Sequence, residues 1–444
     1  MKASIGLVGT CALVIGNTVG AGIYFLPVSL APFGALSIGG WIITAFGAII
    51  LALMFASLAR RYPHTGGPYV YARTAFGDAW GFQMAWSYWA SGWISNAALV
   101  LACVSYLSVF IPALASNRLL ACATGIALIW IATAINAKGI KQTSFVQVLL
   151  TILKLSPLIV VGFIGLFFLS EQSSVPLPAE GTSTLSAINQ AALLTLYAFI
   201  GIESATVPAQ HVINPEKTIA KATIIGTLLC AVLYIVVTVS VLGLMGQEAL
   251  LNSKAPIADV AKILFGAWAA PIAAFGAVIS AFGCLLGWVF LQGQMPYAAA
   301  TNGLFPSVFG KVSKQGVPLY GIVISSVLIT ILMFMNYVES LAQQFTMLVS
   351  LSTFAMLVPY AGSALADLVL RLKAKEKIKG KAILSLLIAF GALLYTLWLI
   401  IGAGKESIYL GLGFSALGFV IYFVGRGRKA AKEDNEKMPT PSSD

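Results

Sequence analysis

The stretch GNTVGAGIYFLP, residues 16–27, interrupts a run that is otherwise apolar from residue 5 to residue 30. It holds three glycines, an asparagine and a proline. Glycine is about 1 kcal/mol worse than alanine in a helix interior. A backbone N–H or C=O freed inside a bilayer costs several kcal/mol unless protein or trapped water satisfies it. Such a stretch either lets a neighbouring helix pack closely, as small residues do in membrane bundles, or it unwinds.

The surrounding chain sets the terms of that choice. Of 444 residues, 59% are hydrophobic and 9% charged, with a mean hydropathy of +0.93. Soluble domains carry about 25% charged residues, so the chain reads as an all-α polytopic membrane protein. Runs long enough to span, roughly 20 apolar residues each, fall near 5–30, 36–59, 79–111, 118–137, 144–170, 188–212, 218–246, 266–300, 318–335, 343–370, 382–403 and 407–425. That is an expectation of twelve transmembrane helices in one domain, residues 1–425. The charged tail 426–444, with its serines and prolines, is expected to be disordered and cytoplasmic. The N-terminal run is too long for a cleavable signal and lacks an acceptable cleavage site.

Net charge is +11, and its placement is more informative than its size. Arg60, Arg61 and Arg73 follow the second run, Lys138 and Lys141 the fourth, Lys217 and Lys221 the sixth, and Lys311 and Lys314 the eighth. Arg371 opens a basic stretch after the tenth, and the tail adds more. Arg118, Lys254, Lys262 and Lys405 fall on the opposite side. Positive charge gathers on the cytoplasmic side, so both termini are expected inside a multi-pass protein of the cell (cytoplasmic) membrane. The topology accounts for the basic tail without nucleic acid. The five cysteines all lie in apolar runs with no C-x-x-C pair, and His64 and His211 are far apart in the chain. They read as small buried residues with no zinc pattern, and no cofactor is expected.

A second interruption decides the reading of the first. LYAFIGIESATVPAQ, residues 196–210, places Gly201, Glu203, Ser204 and Pro208 in the sixth run. Four spans follow each interrupted run within its own half. Paired interruptions at corresponding places in two halves are the strongest sequence pointer to a secondary transporter's binding site. A half-helix beginning near Ala21–Gly22 offers free N–H groups and a positive dipole end for a carboxylate. Half-helices ending near Thr18–Val19 and Phe199–Ile200 offer carbonyls for an ammonium. An α-amino acid carries both groups on one carbon.

These residues resemble a family. GNTVGAGIYFLP, GGPYVYAR (66–73), FIGIESA (199–205) and LLGWVFLQGQ (285–294) are similar, over nearly the whole chain, to the amino acid–polyamine–organocation (APC) superfamily. Within it the pattern is closest to the basic amino acid/polyamine antiporters of the arginine/agmatine type. The resemblance implies a leucine-transporter-like fold: inverted repeats over about 5–170 and 188–371, discontinuous first and sixth spans, and two extra helices in 382–425. It implies a substrate site at Thr18, Val19, Ala21 and Gly22, with the Gly22 amide on the carboxylate. Ala21 stands where those antiporters have serine. Tyr197 takes the place of their stacking tryptophan, and the Tyr197 and Ile200 carbonyls would receive the α-amino group. Trp288 matches a gating tryptophan. Asn96, with the Ser91–Gly92 backbone, matches the region that holds the far end of a long cationic side chain, and Ser352 matches a lining serine. Tyr88, Glu203 and Tyr360 match an inner gating cluster.

Two ionisable residues inside spans stand out, since such residues are functional by default. Glu203 is either a proton carrier or a fixed acceptor for the broken backbone. Lys154, ten residues into the fifth run, lies near the membrane midplane. Its ammonium can cap carbonyls freed at residues 16–19, as a permanent strut or as a group that sheds a proton during the cycle. The resemblance places a lysine here in neutral amino-acid permeases and light-chain-type exchangers, where it stands for sodium. Asp367 and Arg371, four apart, read as a helix-face pair at the membrane surface. Trp288 and Asn96 favour a basic amino acid or its amine; Ala21 and Lys154 favour a small neutral one. Antiport and proton symport both stay open, as does a homodimer. A channel would need filter loops or rings of charge and a membrane enzyme a catalytic set at depth; the sequence offers neither.

Overall fold

The computed structural model describes residues 5–62, 66–139, 144–169, 183–206, 212–336, 339–374, 380–404 and 408–423. Expectations resting on His64, Pro208, His211 and the tail 426–444 fall outside these residues, as do the side chains of Ala21 and of 144–150. The order of helices is α1 (Leu7–Thr18), α2 (Ala21–Leu30), α3 (Leu36–Arg61), α4 (Pro68–Phe76), α5 (Asp78–Leu107), α6 (Ala113–Ser116), α7 (Arg118–Ala137), α8 (Ser144–Ile159) and α9 (Gly165–Phe167). There follow α10 (Thr184–Tyr197), α11 (Pro215–Met245), α12 (Gln247–Leu251), α13 (Pro256–Phe265), α14 (Ala269–Thr301), α15 (Leu319–Asn336), α16 (Leu341–Lys373), α17 (Gly380–Gly402) and α18 (Ile408–Phe423). Among the described residues the only β-pairing is an isolated bridge between Ile5 and Val212.

Eight helices among the described residues are long and apolar enough to cross a membrane, and shorter apolar helices cover Thr151–Phe167, Leu319–Met335 and Ile408–Phe423. This is a nearly all-helical polytopic membrane protein. Burial separates centre from rim. The apolar window of α5 is 89% buried, that of Ala382–Gly402 only 22%. So α5 is the axis, packed between α14 and α16. The rim helices turn Leu228, Leu229 and Val232, and Leu384, Leu387 and Phe390, outward. An apolar surface of that extent is a lipid-facing one.

Lipid tails are as apolar as leucine, so close approach and buried hydrogen bonds hold the helices together. On the α3–α10 seam, a Cβ on Gly40 would stand 2.7 Å from that of Ala191. Beside it the Thr44 hydroxyl bonds Thr195 at 2.8 Å and donates to the Ala192 carbonyl at 3.0 Å. In α8, Pro157 withholds the N–H that Leu153 would receive; the Ser156 hydroxyl supplies a donor at 3.0 Å. The helix then widens into a π turn over Val160–Ile164.

The short helix α4 crosses one end of the bundle. Tyr69 donates to the Ala298 carbonyl at 3.1 Å and accepts from Asn302 at 2.7 Å. Burial raises the Tyr69 phenol above its ordinary value, against the pull of Asn302 and Arg73, and so keeps it a donor. Lys373 reaches the Ala75 carbonyl in the last turn of α4 at 2.9 Å. Asp367 and Arg371 pair as their spacing implies, at 2.9 Å, and the pair is buried within the protein: their side chains are only 1% and 5% exposed. Arg371 also donates to Ser57 on α3 at 2.6 Å. The pair lies inside because α3 and α4 cover this end of α16.

Candidate functional site

The helix α1 stops at Thr18. Val19 is extended (φ −80°, ψ 97°), Gly20 takes φ −135° and ψ −144°, and α2 starts at Ala21. Side chains from three other helices donate to the end of α1. The Lys154 ammonium on α8 donates to the Gly16 carbonyl. Trp288 and Cys284 on α14 donate to the Asn17 carbonyl at 3.0 and 3.4 Å. Tyr234 on α11 donates to the Thr18 carbonyl at 3.0 Å. The Thr18 hydroxyl turns back to Val14 at 2.7 Å. Beyond Gly20, α2 opens with no side-chain cap. Its first N–H groups lack acceptors within the helix, and its dipole end is positive.

The second break begins at Tyr197, where α10 ends, slightly before the expected Phe199–Ile200. The chain turns through residues 198–203 into a 3-10 turn at Ser204–Thr206. The Tyr197 carbonyl accepts the Ile200 N–H at 3.1 Å within the tight turn and keeps a second lone pair. Gly201 has φ +112°, a conformation that side chains other than glycine rarely adopt. The two breaks touch. A Cβ on Gly22 would stand 3.2 Å from the Ala198 Cα.

Between the breaks lies a hollow of about 10 Å³, the room of roughly one water. Asn17, Thr18, Gly20, Gly22, Ser95, Leu99, Tyr197, Ala198, Ile200, Cys284 and Trp288 line it, all of them buried. A much larger pocket of about 430 Å³ opens at the end away from α4, lined by Phe25, Arg118, Lys254 and Glu339 among others. Aromatic rings separate the two spaces. Phe25 packs on Phe345 with centroids 4.9 Å apart, and Phe345 on Tyr197 at 6.1 Å.

Toward α4, Glu203 is fully buried. It accepts from Tyr360 at 2.5 Å, Tyr88 at 2.9 Å and the Gly201 amide at 3.3 Å. One carboxylate thus ties α5, α16 and the second break together. The Tyr88 ring lies 6.2 Å from Trp288, so this cluster adjoins the hollow.

Of the residues singled out from sequence, Thr18, Gly22, Tyr197, Ile200 and Trp288 line the hollow. Val19 is buried between the half-helices and bonds back to Ile15 at 2.7 Å. Ala21 is the first residue of α2. Ser91, Gly92, Asn96 and Ser352 stand beside the hollow without lining it. The Ser91 hydroxyl donates to the Ser352 carbonyl at 2.8 Å, and Gly92 faces Trp288.

The amino acid permease family model matches residues 5–425. The chain belongs to the amino acid permease family. It is 34% identical to a putative arginine/ornithine antiporter of Bacillus subtilis (strain 168), over 93% of this chain and 94% of the relative. It is 37% identical to a cadaverine/lysine antiporter of Escherichia coli (strain K12), over 74% of each. It is 31% identical to an arginine/ornithine antiporter of Pseudomonas aeruginosa, over 93% and 88%. The permease is a secondary amino-acid transporter of the APC superfamily, not an enzyme.

Sequence reasoning passed over several residues that the permease places at its site. Cys284, read as a plain buried cysteine, lines the hollow and donates to Asn17. Ser95 lines it too and shares a hydrogen bond with the Tyr197 hydroxyl at 3.2 Å. Tyr234 caps Thr18. A signal existed for Ser95, which lies one turn beyond Ser91. Tyr234 carried none beyond a polar tip in an apolar run.

Proposed function

We propose that the permease exchanges a basic amino acid for its amine product, or for another basic amino acid, by alternating access. The observation that carries this is the contact between the two backbone breaks. It sets the uncapped N-terminus of α2 opposite the turn at 197–201, around a hollow lined by Tyr197 and Trp288. A carboxylate suits the α2 dipole end. The relatives' names, arginine/ornithine and cadaverine/lysine antiporter, favour a basic side chain. At about 10 Å³ the hollow must widen to take an amino acid, so Gly22 and Ala198 have to part during the cycle. In this reading the ring stack Phe25–Phe345–Tyr197 closes one approach and the Tyr88–Glu203–Tyr360 cluster the other.

The reading includes the finer architecture expected from the sequence. Twelve spans form inverted repeats over about 5–170 and 188–371, with two further helices, and both termini are cytoplasmic. The basic residues at the α4 end, Arg60, Arg61 and Lys373 among them, support that orientation.

A second reading rests on Lys154. An ammonium fixed on the Gly16 carbonyl suits a proton-coupled carrier of small neutral amino acids. One experiment separates the two: counterflow into proteoliposomes, competed by each of the twenty amino acids and by agmatine, putrescine and cadaverine. Competition by arginine, ornithine or lysine and a matching amine supports exchange of basic substrates. Competition confined to small neutral amino acids, with uptake driven by a pH gradient, supports the second. Absence of saturable counterflow would overturn both.

A further inference from the structure

Asn96 on α5 and Gln292 on α14 are buried amides, 0% and 2% exposed, and among the described residues neither the oxygen nor the nitrogen of either has a partner. The Ser352 hydroxyl on α16, fully buried, has none either. Each such group left bare costs about 1–3 kcal/mol, and folded chains leave few of them. Asn96 and Gln292 sit on the two helices, α5 and α14, that meet where Gly92 faces Trp288.

Gly92 and Asn96 are one helical turn apart on α5, as are Trp288 and Gln292 on α14. A Cβ on Gly92 would stand 3.6 Å from the Gln292 Cγ and 3.8 Å from the Trp288 Cε3. The opposite edge of the indole donates to the Asn17 carbonyl at 3.0 Å. Trp288 therefore spans from the break in the backbone to Gly92, with Gln292 beyond it. Ser91, next in sequence to Gly92, brings Ser352 in from α16 through its bond to the Ser352 carbonyl. A side chain laid along the indole from the break ends beside Gln292.

We propose that Gln292 is a specificity-determining residue of the permease. Its amide oxygen, with that of Asn96, receives the N–H groups at the far end of a basic side chain or diamine while the near end lies at the break. This rests on the basic-substrate reading above. An aliphatic end would leave these polar atoms buried and bare, and sites of that kind discriminate strongly against analogues that lack the hydrogen-bonding group. The resemblance drawn from sequence reached Asn96 and Ser352 but not Gln292. The signal for Gln292 is its unpaired burial against Gly92.

The test uses purified full-length protein in proteoliposomes. Counterflow of radiolabelled lysine, ornithine and arginine is measured for the wild type, Gln292→Leu and Gln292→Glu, each competed with norleucine, which copies the lysine chain without its ammonium. Gln292→Leu should raise KM for the basic substrate about ten-fold, the loss of one hydrogen bond to a charged group, and should make norleucine a better competitor. Gln292→Glu should hold the basic substrate at least as tightly as the wild type and weaken norleucine further. Unchanged KM and norleucine competition in Gln292→Leu overturn the proposal, as does an equal loss of every substrate in both variants, which marks a packing role. If Gln292→Leu is not monodisperse, Gln292→Glu decides alone: unchanged selectivity overturns the assignment. A wild type that exchanges only neutral amino acids overturns the substrate reading and this proposal together. A wild type that exchanges basic ones, with Gln292 indifferent, overturns this proposal only.

Discussion

Gly201 and Asn17 touch backbone to backbone: a Cβ on Gly201 would stand 3.0 Å from the Asn17 carbonyl oxygen and 3.1 Å from its carbon. The two breaks are thus mutually fitted, and the fit requires a residue without a side chain at φ +112°. The neighbour is backbone held by Trp288 and Cys284, so it cannot rotate aside. Gly201→Ala is expected to reduce uptake more than about ten-fold through steric strain and backbone strain together. Radiolabelled uptake beside the thermal melting of the detergent-solubilised protein checks this; wild-type uptake in a stable variant would show that the breaks need not touch.

Glu203 gathers Tyr88, Tyr360 and the Gly201 amide on one carboxylate. Glu203→Gln turns one acceptor oxygen into a donor that faces a tyrosine hydroxyl or an N–H. Hydrogen bonds to a charged group contribute about 1.5–3 kcal/mol, so uptake is expected to slow at least ten-fold, on the order of that loss. The dependence of uptake on pH separates the two roles. A flattened profile marks a proton carrier; a slower rate with the wild-type profile marks a fixed brace.

Lys154 holds both halves of the first span. Its ammonium lies on the Gly16 carbonyl of α1, and its own carbonyl accepts from Tyr24 of α2 at 2.6 Å. Tyr106 in turn donates to the Tyr24 carbonyl at 2.6 Å. Lys154→Ala removes only the first link, and Tyr24→Phe only the second. Lys154→Ala is expected to weaken uptake about ten-fold or more and to alter its pH profile. Tyr24→Phe is expected to lower the rate without touching that profile. Matching pH profiles in all three proteins would reduce Lys154 to a strut.

The Asp367–Arg371 pair tests stability without the site. Breaking a buried pair by removing one partner costs about 3–5 kcal/mol because the other charge stays buried. Asp367→Ala should therefore lower the melting temperature clearly and reduce the yield of monodisperse protein. An exposed pair such as Arg73–Asp78, with side chains 33% and 49% exposed, should give about 0–1 kcal/mol when Asp78→Ala is measured alongside.

Glycine, proline and intramembrane charge made the breaks legible, because each is costly in lipid and so marks a place where the backbone does something other than continue a helix. GNTVGAG, read with the second interruption, placed a helix end near Thr18–Val19 and a start near Ala21–Gly22; α1 ends at Thr18 and α2 starts at Ala21. The partners of the freed carbonyls were far less legible. Nothing local to Tyr234 or Cys284 says that it faces Thr18 or Asn17; that depends on how α11 and α14 rotate about their axes, which packing decides. Asp367 and Arg371 were paired from their spacing, yet their burial comes from α3 and α4 folding over them. Gln292 had no sequence signal, since an amide in a span is as often bonded to a neighbouring helix as left for a ligand.

The hollow between the breaks has a consequence for the cell's energy supply. Among the described residues it has room for about one water, with Phe25, Phe345 and Tyr197 on one side and Tyr88 and Tyr360 on the other. In the alternating-access reading proposed above, a carrier resting in this shape keeps its substrate path from draining the membrane's electrochemical gradient.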